Sequence, residues 1–112
     1  MDGLLNAERA NTMHRIASLT RQFDVIVESS ALTINDDEHD PEGATVAFER
    51  AQVSALLADA KKHLVTVDRA VERFLDGGYG RCTRCGQAIA PERLAALPAV
   101  EICIGCTSPV QR

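Results

Sequence analysis

Tyr79-Gly80-Arg81-Cys82-Thr83-Arg84-Cys85-Gly86 and, further along, Ile102-Cys103-Ile104-Gly105-Cys106 contain all four cysteines of a 112-residue chain. Their spacing is C-x2-C-x17-C-x2-C. Two cysteines two residues apart can grip one cation from a tight knuckle, and a second pair returned by the intervening chain completes a tetrahedron. Gly86 follows the first pair and Gly105 lies inside the second, as expected where the backbone bends sharply and turns N–H groups toward sulfur. The pattern points to one zinc ion held by Cys82, Cys85, Cys103 and Cys106. Four thiolates leave no coordination position for water, so the site reads as structural and the chain as no enzyme. Two disulfides or a dithiol redox pair are the alternatives. A redox C-x-x-C belongs beside a strand in a thioredoxin-like fold, and no strand pattern is visible.

The surrounding sequence supports the metal. With no Trp, one Tyr and three Phe, the chain has little to build a conventional core from, and small modules of this kind usually need a staple. The opening residues, MDGLLNAERANTMHR, lack a basic segment followed by an apolar one. No secretory leader is expected, and a cytoplasmic, reducing location favours metal ligation over disulfides. No apolar run approaches the ~18 residues of a membrane span. The net charge of −4 argues against a large nucleic-acid footprint. That charge divides unevenly: residues 1–79 hold 8 basic and 14 acidic side chains, residues 80–112 hold 4 and 2.

Upstream of the cysteines, the segment from Leu4 to Asp40 contains neither Gly nor Pro, and the same is true from Ala44 to Asp76. Two long helices are predicted. In the second, Val53, Leu57, Ala60, Leu64, Val67, Val71 and Phe74 recur at alternating intervals of four and three, the seam of a coiled coil. In the first, Met13, Ile16, Thr20, Phe23 and Val27 give a weaker version. Two such stripes joined by a short polar turn fold back as an antiparallel hairpin; a homodimeric bundle is the alternative. Asp40-Pro41-Glu42 suits the start of the second helix, with Asp as N-cap and Pro in the first turn. Gly77-Gly78 suits its end and a joint to the next module. The fold expected is mostly α: a long antiparallel helical hairpin (coiled coil) over 1–76, then a small four-cysteine zinc-finger module over 77–112. Between the knuckles, Pro91–Leu97 reads as a short helix stopped by Pro98, packing Leu94 and Leu97 beneath the metal.

The hairpin tip, near residues 35–44, carries five acids in seven residues, Asp36 to Glu42. It reads either as a solvated turn or as a probe for a basic or metal-containing cavity of a partner. His14 and His63 lack a second ligand at helical spacing and read as solvated; His39 sits in the tip. No Ser-His-Asp set or phosphate loop is present.

The run Gly77-Gly78-Tyr79-Gly80-Arg81-Cys82-Thr83-Arg84-Cys85-Gly86-Gln87-Ala88-Ile89, followed by Pro91-Glu92-Arg93-Leu94-Ala95-Ala96-Leu97-Pro98 and Ile102-Cys103-Ile104-Gly105-Cys106, resembles the DksA/TraR family. Its pattern is Gly-x-Tyr/Phe-Gly-x-Cys-x-x-Cys-Gly-x-x-Ile, an Arg-Leu-x-Ala-x-Pro stretch, then Cys-x-x-Cys. Residues 77–106 carry the resemblance; residues 4–76 match in architecture and length. The resemblance implies a regulator that binds bacterial RNA polymerase and inserts its coiled-coil tip through the secondary channel to modulate initiation, often with ppGpp. It implies tip contacts at Asp37, His39, Asp40, Glu42 and Ala44. Here the tip, Asp40-Pro41-Glu42-Gly43-Ala44, departs from the family's Asp-x-x-Asp-x-Ala: aligned on Asp-Pro, Gly43 stands where the second acid belongs, and with one residue deleted Glu42 takes the place of the second acid and Ala44 that of the alanine. The tail departs too, since Pro109 discourages the helix that members carry after the last cysteine. The expected protein is a monomer without membrane or direct nucleic-acid contact. Its alternatives are a zinc-ribbon DNA-binding protein using Arg81, Arg84 and Arg93, and a zinc-capped coiled coil that dimerises.

Overall fold

A computed structural model of the protein describes residues 2–32 and 41–107. Among the described residues four helices follow one another: α1 (Asp2–Leu32), α2 (Pro41–Asp76), α3 (Pro91–Ala96) and α4 (Ile104–Thr107). Among the described residues the only β pairing is an antiparallel bridge between Arg81 and Ala88. None of the described helices is long and apolar enough to cross a membrane.

α2 opens at Pro41, as its sequence predicts: a first-turn N–H has no helical acceptor, so proline loses nothing there. It closes at the glycine pair. The Gly77 N–H donates to the Phe74 carbonyl (3.3 Å) and the Gly78 N–H to the Arg73 carbonyl (2.8 Å). These two bonds are the Schellman arrangement, which needs the left-handed backbone that Gly77 adopts at φ +89°. Of the tip residues, Asp37, His39 and the proposed cap Asp40 lie outside the described residues. Glu42 falls within α2, with its side chain outside the described set, and Ala44 is exposed.

The helices pass through two packing units. In the unit formed by residues 12–62, Leu19, Val53 and Ala60 are buried, with Ile16, Phe23, Ile26 and Leu57 packed around them. The two helices contributing these residues run antiparallel. The α2 seam is the predicted one. The α1 seam is not: Met13 is 47 % exposed, and Thr20 and Val27 also face solvent. The buried row is Thr12, Ile16, Leu19, Phe23 and Ile26. It shares Ile16 and Phe23 with the predicted row, but the other positions slide by one. Burial of Leu19 and Ile26 removes more apolar surface from water than burial of Thr20 and Val27 would, and decides the register. Thr20 then satisfies its hydroxyl locally on the Ile16 carbonyl (2.7 Å).

The second unit comprises residues 1–11 and 63–112. Leu5 packs on Val67 and Ala70, and Ala99 from beyond α3 joins the same cluster. The small side chains Ala70 and Ala99 let backbones come close, and Val71, Phe74 and Tyr79 wall the cluster. The Phe74 and Tyr79 rings meet edge to face at 5.8 Å, a favoured quadrupole geometry. The Tyr79 hydroxyl donates to the Pro98 carbonyl (2.7 Å), and burial pushes its pKa up against the opposing pull of Arg73. Arg69 Nε donates to Glu101 (2.8 Å), and Arg73 lies 3.5 Å from the same carboxylate while donating to the Val100 carbonyl (3.3 Å). These bonds fix the segment that leads into the second cysteine pair against α2. On the exposed side, Arg9 pairs with Asp68 (2.7 Å) and His63 with Glu8 (2.6 Å). His63 is thus a partnered surface group and not only a solvated one.

Candidate metal centre

Each cysteine pair sits on its own backbone turn. In the first, the Cys82 N–H donates to the Gln87 carbonyl (2.8 Å), the Gly86 N–H to the Cys82 carbonyl (2.9 Å) and the Ile89 N–H to the Gly80 carbonyl (2.8 Å). The chain reverses between these bonds, and Gly86 takes φ +79° to do so, a conformation that costs a residue with Cβ dearly. The reversal aims the N–H groups of Arg84 and Cys85 at Cys82 Sγ, at 3.4 and 3.5 Å. In the second pair, the N–H groups of Cys106 and Thr107 both return to the Cys103 carbonyl (3.2 and 3.1 Å), which makes the single turn of α4. Gly105 has no left-handed backbone there, and an added Cβ would only touch Cys103 Sγ at 3.9 Å. Its expected role in bending the knuckle is therefore not needed. The Thr83 N–H donates to the Glu101 carbonyl (2.8 Å) and joins the two turns.

The four sulfurs of Cys82, Cys85, Cys103 and Cys106 lie within 4.8 Å of one another. Cys85 and Cys103 are 3.7 Å apart. Thiolates about 2.3 Å from one zinc would stand roughly 3.8 Å apart at the corners of a tetrahedron, whereas a disulfide needs about 2.05 Å. All four cysteines are free. Among the described residues no other group of three or more His, Cys, Asp or Glu side chains converges in this way.

The thiols do not behave alike. Burial works against a charge on Cys82, which is 3 % exposed. The N–H groups of Cys103, Cys85 and Arg84 outweigh it and pull the thiol down to about 6. Cys103 is also lowered, chiefly by the Cys106 N–H. Cys106 is pushed up to about 12, first by its hydrogen bond with the Cys103 thiol. Cys85 is raised: the Gln87 N–H favours its thiolate, but burial and the protons shared with Cys82 and Cys103 prevail. The surroundings thus favour the thiolate at Cys82 and Cys103 and the thiol at Cys85 and Cys106. A divalent cation removes that conflict by replacing the protons. Geometry and donor set fit one structural zinc, held by four thiolates.

Beneath the sulfurs, Cys82 packs with Ile89 and Leu94, flanked by Tyr79, Val100, Ile102, Cys103 and Cys106. Leu94 is where the sequence predicts. Leu97 is 51 % exposed instead. α3 ends at Ala96, and Leu97 at φ −131° has left the helix, so it no longer shares a face with Leu94. Arg81 donates to the Gly86 carbonyl (2.9 Å), Arg84 to the Cys106 carbonyl (3.4 Å) and Arg93 to the Ile102 carbonyl (3.1 Å). The three arginines of the supposed basic face thus direct donors at the module's own backbone. Sequence reading missed this role, because carbonyl acceptors leave no mark in the residue pattern.

Residues 77–112 match the family described as prokaryotic dksA/traR C4-type zinc finger. A protein of Bacillus subtilis named general stress protein 16O is 29 % identical over 84 residues, 75 % of this chain and 52 % of that protein. An uncharacterised protein of Aquifex aeolicus is 41 % identical over 46 residues, 41 % of this chain and 32 % of that one. The uncharacterised B. subtilis protein YteA is 36 % identical over 62 residues, 55 % and 26 %. The chain therefore spans about half or less of the length of these curated relatives. The solved structure of transcription factor DksA2 from Pseudomonas aeruginosa superposes with a TM-score of 0.55 at 23 % identity, covering 93 % of this chain and 80 % of that one. That likeness establishes a DksA-like fold. Residues 77–112 are thus a finger of the dksA/traR C4 type, carried on a DksA-like fold.

Proposed function

We propose that the chain is a non-catalytic regulator that binds bacterial RNA polymerase and directs its hairpin tip into the secondary channel to modulate initiation. The carrying observation is the combination of a dksA/traR-type finger with a fold like that of the transcription factor DksA2. The acids Asp36 to Glu42, which in sequence lie between the end of α1 and the first turn of α2, support the same reading. On it, Asp40, Glu42 and Ala44 act at the tip with Asp37 and His39 behind them, and the mechanism is steric and electrostatic. The Gly43-altered tip argues against ppGpp as a co-ligand. The DNA-binding alternative loses support from Arg81, Arg84 and Arg93, whose guanidinium groups bond within the finger.

The test is capture of RNA polymerase by the zinc-loaded protein, with a channel-binding family member as competitor. Displaceable capture is expected. The double substitution Asp40→Asn/Glu42→Gln should leave capture largely intact and abolish the effect on transcription in vitro. Absence of capture at micromolar concentration would sink the polymerase reading, and unchanged transcription with the double mutant would sink the role of the tip.

A further inference from the structure

The surroundings of Arg93, the arginine of the Arg-Leu-x-Ala-x-Pro stretch, give it a task in the zinc finger. Arg93 leaves the middle of α3 and is half-buried. Its Nε donates to the Ile102 carbonyl (3.1 Å), and its Nη2 donates to Thr107 Oγ1 (3.0 Å). The Thr107 hydroxyl in turn donates to the Cys103 carbonyl (2.9 Å). Ile102 immediately precedes the first cysteine of the second pair, and Thr107 immediately follows the last. One planar edge of the guanidinium therefore holds both ends of the knuckle that presents Cys103 and Cys106. The module's other long ties reach this knuckle less squarely: Arg84 touches the Cys106 carbonyl at 3.4 Å, and Thr83 reaches only Glu101, upstream.

We propose that Arg93, acting through Thr107, is the positioning residue of the zinc site, clamping the Cys103–Cys106 knuckle so that its sulfurs hold the metal against dissociation. The inference is independent of the polymerase reading. A metal ligand is only as well placed as the groups that orient it, and losing such a group typically weakens metal affinity about 10- to 100-fold. Two donors at fixed spacing are a property of arginine; lysine offers the same charge as a single point.

The experiment follows zinc transfer from the full chain to a chromophoric chelator, beside the cobalt(II) spectrum of the same variants and their helical circular dichroism. Arg93→Lys and Arg93→Met are expected to lose zinc about 10- to 100-fold faster, with altered cobalt–thiolate bands and unchanged helix content. Thr107→Val, which leaves Arg93 in place and removes only the relay, should lose zinc faster as well, and Thr107→Ser should restore retention. Arg9→Met, which deletes a guanidinium from the exposed pair with Asp68, should behave as the wild type. Retention and cobalt spectrum unchanged in Arg93→Lys would overturn the proposal, since charge alone would then suffice. If the Arg93 variants do not fold, the Thr107 pair decides: wild-type retention in Thr107→Val overturns it.

Discussion

The two packing units of this protein reach order by different means. The 12–62 unit rests on a row of aliphatic and aromatic side chains between two helices. The finger end of the other unit has a small apolar cluster, several of whose members are the cysteines themselves. Its backbone is pinned by directed bonds from Tyr79, Arg73, Arg81, Arg84 and Arg93 to carbonyls. Apolar contact is non-directional and tolerates exchange of one aliphatic residue for another of similar volume. Directed bonds and metal ligands do not. The helical seam can therefore drift in sequence while the finger keeps its residues, which accounts for the stronger motif in residues 77–106.

The comparison is broken most severely at the metal. Cys103→Ser should abolish zinc binding, measured as metal content falling from one per chain to near zero, with the finger's order lost because binding and folding of such sites are one process. Zinc uptake by the stripped protein should release protons. Calorimetry in buffers of different ionisation enthalpy should thus find a net release of protons near pH 8. Because binding expels protons, affinity should rise with pH and fall on acidification; a pH-independent affinity would contradict the thiolate assignment. In the seam, Leu19→Ala should cost roughly 2–5 kcal/mol in urea unfolding while zinc content stays at one per chain. Smaller still, and sharper as a test of register, is the pair Ile26→Ser and Val27→Ser. The first should cost about 1–3 kcal/mol and the second no more than about 0.5 kcal/mol. Equal effects would mean that α1 does not keep the Leu19/Ile26 row.

The same contrast governs what could be read from the sequence. The four ligands were legible because a tetrahedron imposes spacing on its donors. The α2 seam was legible because Leu57, Ala60, Leu64 and Val67 have no apolar neighbour that offers a consistent second row. In α1 two rows compete: Thr12 beside Met13, Leu19 beside Thr20, Ile26 beside Val27. Only the buried total decides between them, and that total depends on α2. Leu97 was misplaced because the end of a six-residue helix is set by capping, with the Leu97 N–H turning back to the Arg93 carbonyl, and not by periodicity. The work of Arg93 and Thr107 was invisible because they are 14 residues apart and act on backbone oxygens. The tip acids were legible as a cluster, and Asp37, His39 and Asp40 lie outside the described residues.

Tyr79 belongs to both apolar clusters of its unit: it walls the Leu5–Val67–Ala70–Ala99 group and the Cys82–Ile89–Leu94 group. Ala99 likewise comes from the segment between the cysteine pairs. Anything that binds only the folded form stabilises it by mass action, and here the gain is transmitted through a shared ring to the paired ends of α1 and α2. Removal of the ion is therefore expected to loosen the cluster around Leu5 and Val67 as well as the finger itself.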